Sequence, residues 1–161
     1  MVLGGLALLL ACTGYAEDTG KQNTTVKKTV TAYFRAEAKG DYAAMDPLFT
    51  RDARLKYTYK WGYGYKDTVY ELDLSKDPKL ESVFDDSEYT DQMAGYETIK
   101  RESKIKHVRS KADGLTKVNA LVTEKYRYQG YTGTANTKVD ILLRNVRGTA
   151  KIARLTSVTT Y

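Results

Sequence analysis

Four alternating segments joined by short links dominate the C-terminal part of the chain: Lys104–Arg109, Thr116–Tyr128, Thr137–Val146 and Ala150–Thr160. The second and third of them place apolar or aromatic side chains at alternate residues, the signature of a strand with one buried face. In the second, Val118, Ala120, Val122, Glu124, Tyr126 and Tyr128 share a face; in the third, Val139, Ile141 and Leu143 do. The links are Lys111-Ala112-Asp113-Gly114, a Gly-rich loop over 129–136, and Arg147-Gly148-Thr149. Connections this short make consecutive strands antiparallel neighbours, so a meander sheet is required. Alternation fails between Ile152 and Leu155, which predicts a bulge in the last strand.

A sheet with one apolar face must be covered. The cover is predicted upstream, in a helix over Thr25–Lys39 with Val26, Val30, Tyr33, Phe34 and Ala38 on one face and Lys27, Lys28, Thr31, Arg35 and Lys39 on the other. Gly40 stops it and Asp41 caps the next segment. There Ala44, Met45, Leu48 and Phe49 share a face, and Pro47 forces a break, with Asp46 expected to cap a second turn. Leu55, Tyr57, Tyr59 and Trp61 alternate with Lys56, Thr58 and Lys60 as a half-buried strand, and Thr68–Leu74 returns beside it. Asp77-Pro78 opens a short helical stretch with Leu80, Val83 and Phe84 inward. The expected class is α+β: N-terminal helices packed on a curved antiparallel sheet.

This order resembles the nuclear transport factor 2-like superfamily, cone-shaped domains in which a curved sheet wraps around helices. The likeness is carried by Val30-Thr31-Ala32-Tyr33-Phe34-Arg35-Ala36, through Lys39-Gly40-Asp41, to Leu48-Phe49-Thr50-Arg51-Asp52-Ala53, and by the meander ending in Lys151-Ile152-Ala153-Arg154. The superfamily includes isomerases, dehydratases, cyclases, transport factors and binding domains, so the resemblance implies a fold and not a function. Its steroid isomerases use a hydrogen-bond-donating tyrosine, which corresponds to Tyr33. Their aspartate base corresponds to Tyr57, a neutral group and a poor base near pH 7. The resemblance implies a kept donor and a lost base.

The N-terminal Leu9-Leu10-Ala11-Cys12 resembles a bacterial lipobox, in which the signal is cut before the cysteine and its thiol is lipidated. The apolar run before it, about ten residues or ~15 Å of helix, is too short for a ~30 Å hydrocarbon core. Residues 1–11 are thus expected as a signal peptide, 12–24 as the lipidated Cys12 with its tether, and 25–161 as the folded domain. An ordinary secretory signal cut after Ala16, or a free cysteine buried on an apolar stretch, remains open.

Charge and composition narrow the rest. Residues 98–161 carry a net +10 and residues 1–97 a net −4. The basic strands fit contact with a polyanion, such as anionic lipid, cell-wall polymer or nucleic acid, or a plain solvated sheet face. A single histidine and a single cysteine argue against a metal centre, and no phosphate loop, dinucleotide fingerprint or serine elbow is present, so no cofactor or metal is expected. The 14 tyrosines, against three Phe and one Trp, suit half-buried faces and pockets. Candidate pocket residues are Tyr33, Tyr57, Tyr59, Trp61, Glu124 and Tyr126. Glu124 on an apolar face is a carboxylate with a raised pKa or one turned to solvent by a bulge. His107 alternates with Ile105 and is expected inward; Asp140 is expected outside, paired with Arg. The functional expectation is an extracytoplasmic, membrane-anchored (or secreted) domain that binds a small ligand, peptide or envelope protein without catalysis. The alternatives are a component of a conjugation or secretion apparatus, a cofactor-free isomerase or dehydratase, and a possible homodimer.

Overall fold

The computed structural model describes residues 11–76, 80, 94–111 and 113–161, with side chains from residue 23. The helical stretch expected after Asp77-Pro78 lies outside the described residues, apart from Leu80, which is buried. Two helices, α1 (Ala11–Glu37) and α2 (Tyr42–Met45), and a 3-10 turn (Asp46–Leu48) precede six strands. The strands are β1 (Phe49–Lys60), β2 (Thr68–Asp73), β3 (Tyr96–Ser110), β4 (Leu115–Tyr128), β5 (Tyr131–Val146) and β6 (Thr149–Thr160). They form one curved sheet in the order β2-β1-β6-β5-β4-β3, antiparallel throughout except for the parallel pair β1–β6. The class is α+β, as the alternation and the helix face require.

The meander forms with longer strands than expected. The Gly-rich stretch 129–136 is not a loop. Gln129 and Gly130 alone make the turn, at φ 47° and 85°, and 131–136 pair with β4. A two-residue turn with both φ positive matches the twist of the strands it joins, so pairing continues up to it. Arg147-Gly148 repeats the device at φ 52° and 80°. The bulge expected near Ile152 is present: Leu142 pairs with Arg154 and Leu143 with Ile152, leaving Ala153 as the extra residue.

α1 begins at Ala11, well before Thr25. Residues 12–24, expected as a tether because they lack apolar periodicity, continue the helix, since adding a residue to an existing helix costs little once a nucleus is fixed. The nucleus is the packed part. Val26, Thr29, Val30, Tyr33, Phe34 and Ala36 are buried, while Ala38, expected on that face, is exposed beyond the last turn. Thr29 Oγ1 donates to the Ala150 carbonyl at 2.9 Å, which seats the start of the packed helix on the start of β6. Gly40 takes φ 62° and Asp41 Oδ1 accepts from the Ala44 amide at 3.0 Å, as their residue types predict. Asp46 does not cap the following turn; Met45 occupies the cap position without a side-chain bond, and Pro47 alone sets the start. The core joins Val26, Val30 and Tyr33 to Ala53, Leu55 and Tyr57 of β1, Ile152 and Leu155 of β6, Ile141 and Leu143 of β5, and Val118, Ala120 and Val122 of β4.

Candidate functional site

The inner face of the sheet is apolar where α1 starts and becomes polar and aromatic where α1 ends. Parity produces the change. On β4, Val118, Ala120 and Val122 point inward, and the next inward residues are Glu124 and Tyr126. On β3 the pairing slips between Thr98 and Lys100, so Ile99 is an extra residue. This bulge brings Arg101 into register with Glu124 and onto the face that carries Tyr96 and Thr98. Without it Lys100 would face inward. A second slip, between Ile105 and His107, turns His107 outward. The expected inward histidine is therefore exposed.

These residues enclose a cavity of about 240 Å³ at the C-terminal end of α1. Tyr33, Phe34 and Glu37 of α1, Tyr42 and Met45 of α2, Tyr59 of β1, Tyr96, Thr98 and Arg101 of β3, Glu124 of β4 and Tyr161 line it. Room is left at the floor by Ala135, a small buried residue opposite Glu124.

Arg101 bridges two carboxylates. Its Nη1 donates to Glu124 Oε2 at 3.0 Å and its Nη2 donates to Glu37 Oε2. Glu124 Oε1 also accepts from Tyr96 Oη at 2.9 Å and Thr98 Oγ1 at 2.7 Å. Glu124 is thus inward, as the alternation of β4 predicts, and fully engaged. Tyr96, donating to that carboxylate in a partly buried place, is held well above the ordinary phenol range, first by burial and then by the bond itself. Glu37 is different. Among the described residues its Oε1 accepts no hydrogen bond. Its carboxyl is raised above its ordinary value, chiefly by loss of water, with Glu124 adding to the shift and Arg101 opposing it.

The aromatic candidates divide between the cavity wall and the layer behind it. Tyr33 and Tyr59 line the cavity. Tyr57 is buried behind Tyr33, and the two phenols influence one another electrostatically. The donor and base positions of the isomerase resemblance therefore lie beside one another. Burial holds both phenols well above their usual range. Trp61 and Tyr126 back the wall. Trp61 stacks on Tyr161 at 4.7 Å and donates from Nε1 to Thr68 Oγ1 at 2.9 Å. Tyr126 stacks on Tyr96 at 4.9 Å and meets Tyr161 edge-on at 5.7 Å. Its ring crosses Gly133, where a Cβ would stand 2.5 Å from Cζ, so a side chain at this place in β5 would displace the ring.

Glu37, Tyr96, Thr98, Arg101 and Tyr161 were missed as site residues. Tyr96 and Thr98 lie in a stretch without readable periodicity, and Glu37 and Arg101 have ordinary solvent-face patterns in sequence. Asp140 is on the outer face as expected, but its partners are Lys117 at 3.5 Å and Asn119, not an arginine. Register explains this, since Asn119 is directly across from Asp140. Other basic residues of the outer face pair locally, among them Lys56 with Glu71 at 2.7 Å and Arg127 with Glu97 at 2.9 Å.

No family model matches the chain, and no curated protein gives a significant match. Solved structures do match in shape. An "ntf2-like protein with a cystatin-like fold" from Novosphingobium aromaticivorans superposes with TM-score 0.59 at 11% identity, covering 96% of this chain and 91% of its own. A "ketosteroid isomerase-like protein" from Erwinia carotovora atroseptica gives 0.56 at 17% identity, covering 84% and 94%. An "ntf2-like protein of unknown function" from Shewanella baltica gives 0.54 at 12% identity, covering 86% and 94%. The fold is the nuclear transport factor 2-like cone. At these identities the likeness carries the fold and nothing further. Among the described residues no helix is long and apolar enough to cross a membrane.

Proposed function

We propose that this chain is a membrane-anchored extracytoplasmic lipoprotein whose cone binds a small ligand without transforming it. The observation that carries the reading is the cavity of about 240 Å³, walled by tyrosines and holding a fixed polar group at its floor. Its volume is just below the ~300–1,000 Å³ typical of drug-sized ligands, so the ligand is compact. Binding is favoured over turnover by the state of Glu124. With three donors on it, this carboxylate serves as an orienting acceptor whose oxygens are already engaged.

Two further points support the anchored geometry. The lipobox-like Leu9-Leu10-Ala11-Cys12 immediately precedes the rest of α1. Thr29 sits at the start of β6, while Glu37 and the cavity sit toward its far end, beside Tyr161. The tethered end of α1 and the cavity therefore lie at opposite ends of the domain, and an anchored domain would present its mouth away from the membrane.

Native mass spectrometry of the protein purified from its source tests the binding function. Retention of a compact molecule that is lost on unfolding supports it; bare protein, together with no thermal stabilisation across a broad small-molecule library, refutes it. Cys12→Ser should move the protein from the membrane to the soluble fraction; unchanged fractionation contradicts the anchor. A second reading, proton transfer by Glu37, is favoured by that group's raised pKa and its unbonded Oε1.

A further inference from the structure

Among the described residues the cavity's charges do not balance. Three of the described lining residues are carboxylic acids or strong bases: Glu37, Arg101 and Glu124. One guanidinium faces two carboxylates, which leaves a deficit of one positive charge in a place only partly open to water: the side chains of Arg101, Glu37 and Glu124 are 24%, 29% and 13% exposed. An uncompensated charge in such surroundings is costly. The surrounding wall is the kind that accepts a cation. The rings of Tyr33, Phe34, Tyr42, Tyr59, Tyr96 and Tyr161 line the same space, and ring faces carry partial negative charge.

Building on the ligand-binding function above, we propose that the cavity takes a small organic cation, an amine or quaternary ammonium on a compact apolar body. Glu37 is its counter-ion and the tyrosine rings are its walls. Glu124 does not fill that role, because Arg101, Tyr96 and Thr98 already engage it. Glu37 does, because Arg101 engages only its Oε2 and leaves Oε1 to the cavity. A compact carboxylate ligand is disfavoured for the converse reason: it would raise the excess of negative charge.

The deficit has a second remedy, protonation of Glu37, and its raised pKa is the sign of that tendency. Proton and cation then compete for one carboxylate. The groups facing Glu37 are Arg101 from β3, Glu124 from β4, and the hydroxyls of Tyr33 and Tyr57 from α1 and β1. Both phenols are raised and stay neutral, and the guanidinium stays charged, so the carboxyl is the group that changes. Low pH neutralises Glu37 and removes the attraction. Cation affinity therefore rises with pH above the ordinary carboxylate value of 4.5 and levels off once Glu37 is ionised.

The test is calorimetric titration of the full chain with benzylammonium, benzyl alcohol and benzoate, three probes of near-equal size and different charge. Trp61, stacked on the cavity residue Tyr161, supplies a fluorescence signal in parallel. The expected order is benzylammonium tightest, by about tenfold over benzyl alcohol, with benzoate weakest. Glu37→Gln should reduce the cation's advantage over benzyl alcohol from about tenfold to near nothing. If that variant fails to fold, the pH profile of the unsubstituted protein decides instead. Equal affinities, a preference for benzoate, a cation affinity that is flat or falls with pH, or no binding by any probe at millimolar concentration would overturn the inference. The binding function is judged separately, by the mass of retained ligand and the library screen, so the two can fail independently.

Discussion

Replacing Arg101 by glutamine removes what is, among the described residues, the only positive charge between Glu37 and Glu124. The variant keeps a planar amide but is two bonds shorter and uncharged, so the bridge between Glu37 and Glu124 is lost. Exposed ion pairs contribute ~0.2–1 kcal/mol, and removing one partner of a fully buried pair costs ~3–5 kcal/mol. The side chains here are 13–29% exposed, between those limits. A loss of about 2 kcal/mol at pH 8 is the result. At roughly 3 °C per kcal/mol for a domain of this size, Tm should fall by about 6 °C. The pH dependence is the sharper readout. Glu37 is raised above its unfolded value of 4.5, so its contribution to stability is present below that value and is lost as pH rises through the folded value. Without Arg101, which opposes the shift, the carboxyl rises further and the loss with pH grows. Differential scanning calorimetry of both proteins at pH 5 and pH 8 should therefore show a smaller gap at pH 5. An equal gap at both, or none at pH 8, would refute the bridging role of Arg101.

Other consequences are open to equally direct checks. Thr29→Val deletes the buried bond to the Ala150 carbonyl and should cost about 1–2 kcal/mol, read as a lower urea midpoint with an unchanged slope. Gly133→Ala should push the Tyr126 ring off Tyr96, costing about 1 kcal/mol and altering the near-ultraviolet circular dichroism of the stacked tyrosines; an unchanged spectrum would contradict the close approach. Met45→Ala empties a fully buried position on the cavity wall and should cost about 2–5 kcal/mol in chemical denaturation, with a loss under 1 kcal/mol contradicting its placement.

Much of the fold was legible because its signals are periodic. Val118, Ala120 and Val122 announce the inner face of β4; Val26, Val30 and Tyr33 announce the helix that covers it; Gly40 and Asp41 mark the break after that helix. The same alternation placed Glu124 correctly toward the interior. The other half of the cluster was hidden because bulges change parity. Nothing in Glu97-Thr98-Ile99-Lys100-Arg101 says that Ile99 is skipped in the pairing and that Arg101, not Lys100, turns inward. His107 was misplaced by the same effect further along the ladder. Glu37 could not be assigned from its own surroundings either, since its partner Arg101 is 64 residues away in sequence. The turn at Gln129-Gly130 was read as part of a longer loop because Gln129 is an unusual residue for positive φ, and only the pairing on both sides requires it. The isomerase resemblance pointed to Tyr33, which lines the cavity, yet gave no hint that Tyr57 would lie against it.

The central claim is that the cone is an occupied binding site. An electron-density map of the protein purified from its source measures this most directly. The account predicts non-protein density between Tyr59, Tyr161 and the Oε1 side of Glu37, with the bridge from Glu37 through Arg101 to Glu124 intact beneath it. Tyrosine side chains collapsed into the space, with Glu37 turned away from Arg101 and no room left for a ligand, would contradict it and move the search for function to the outer faces of the sheet.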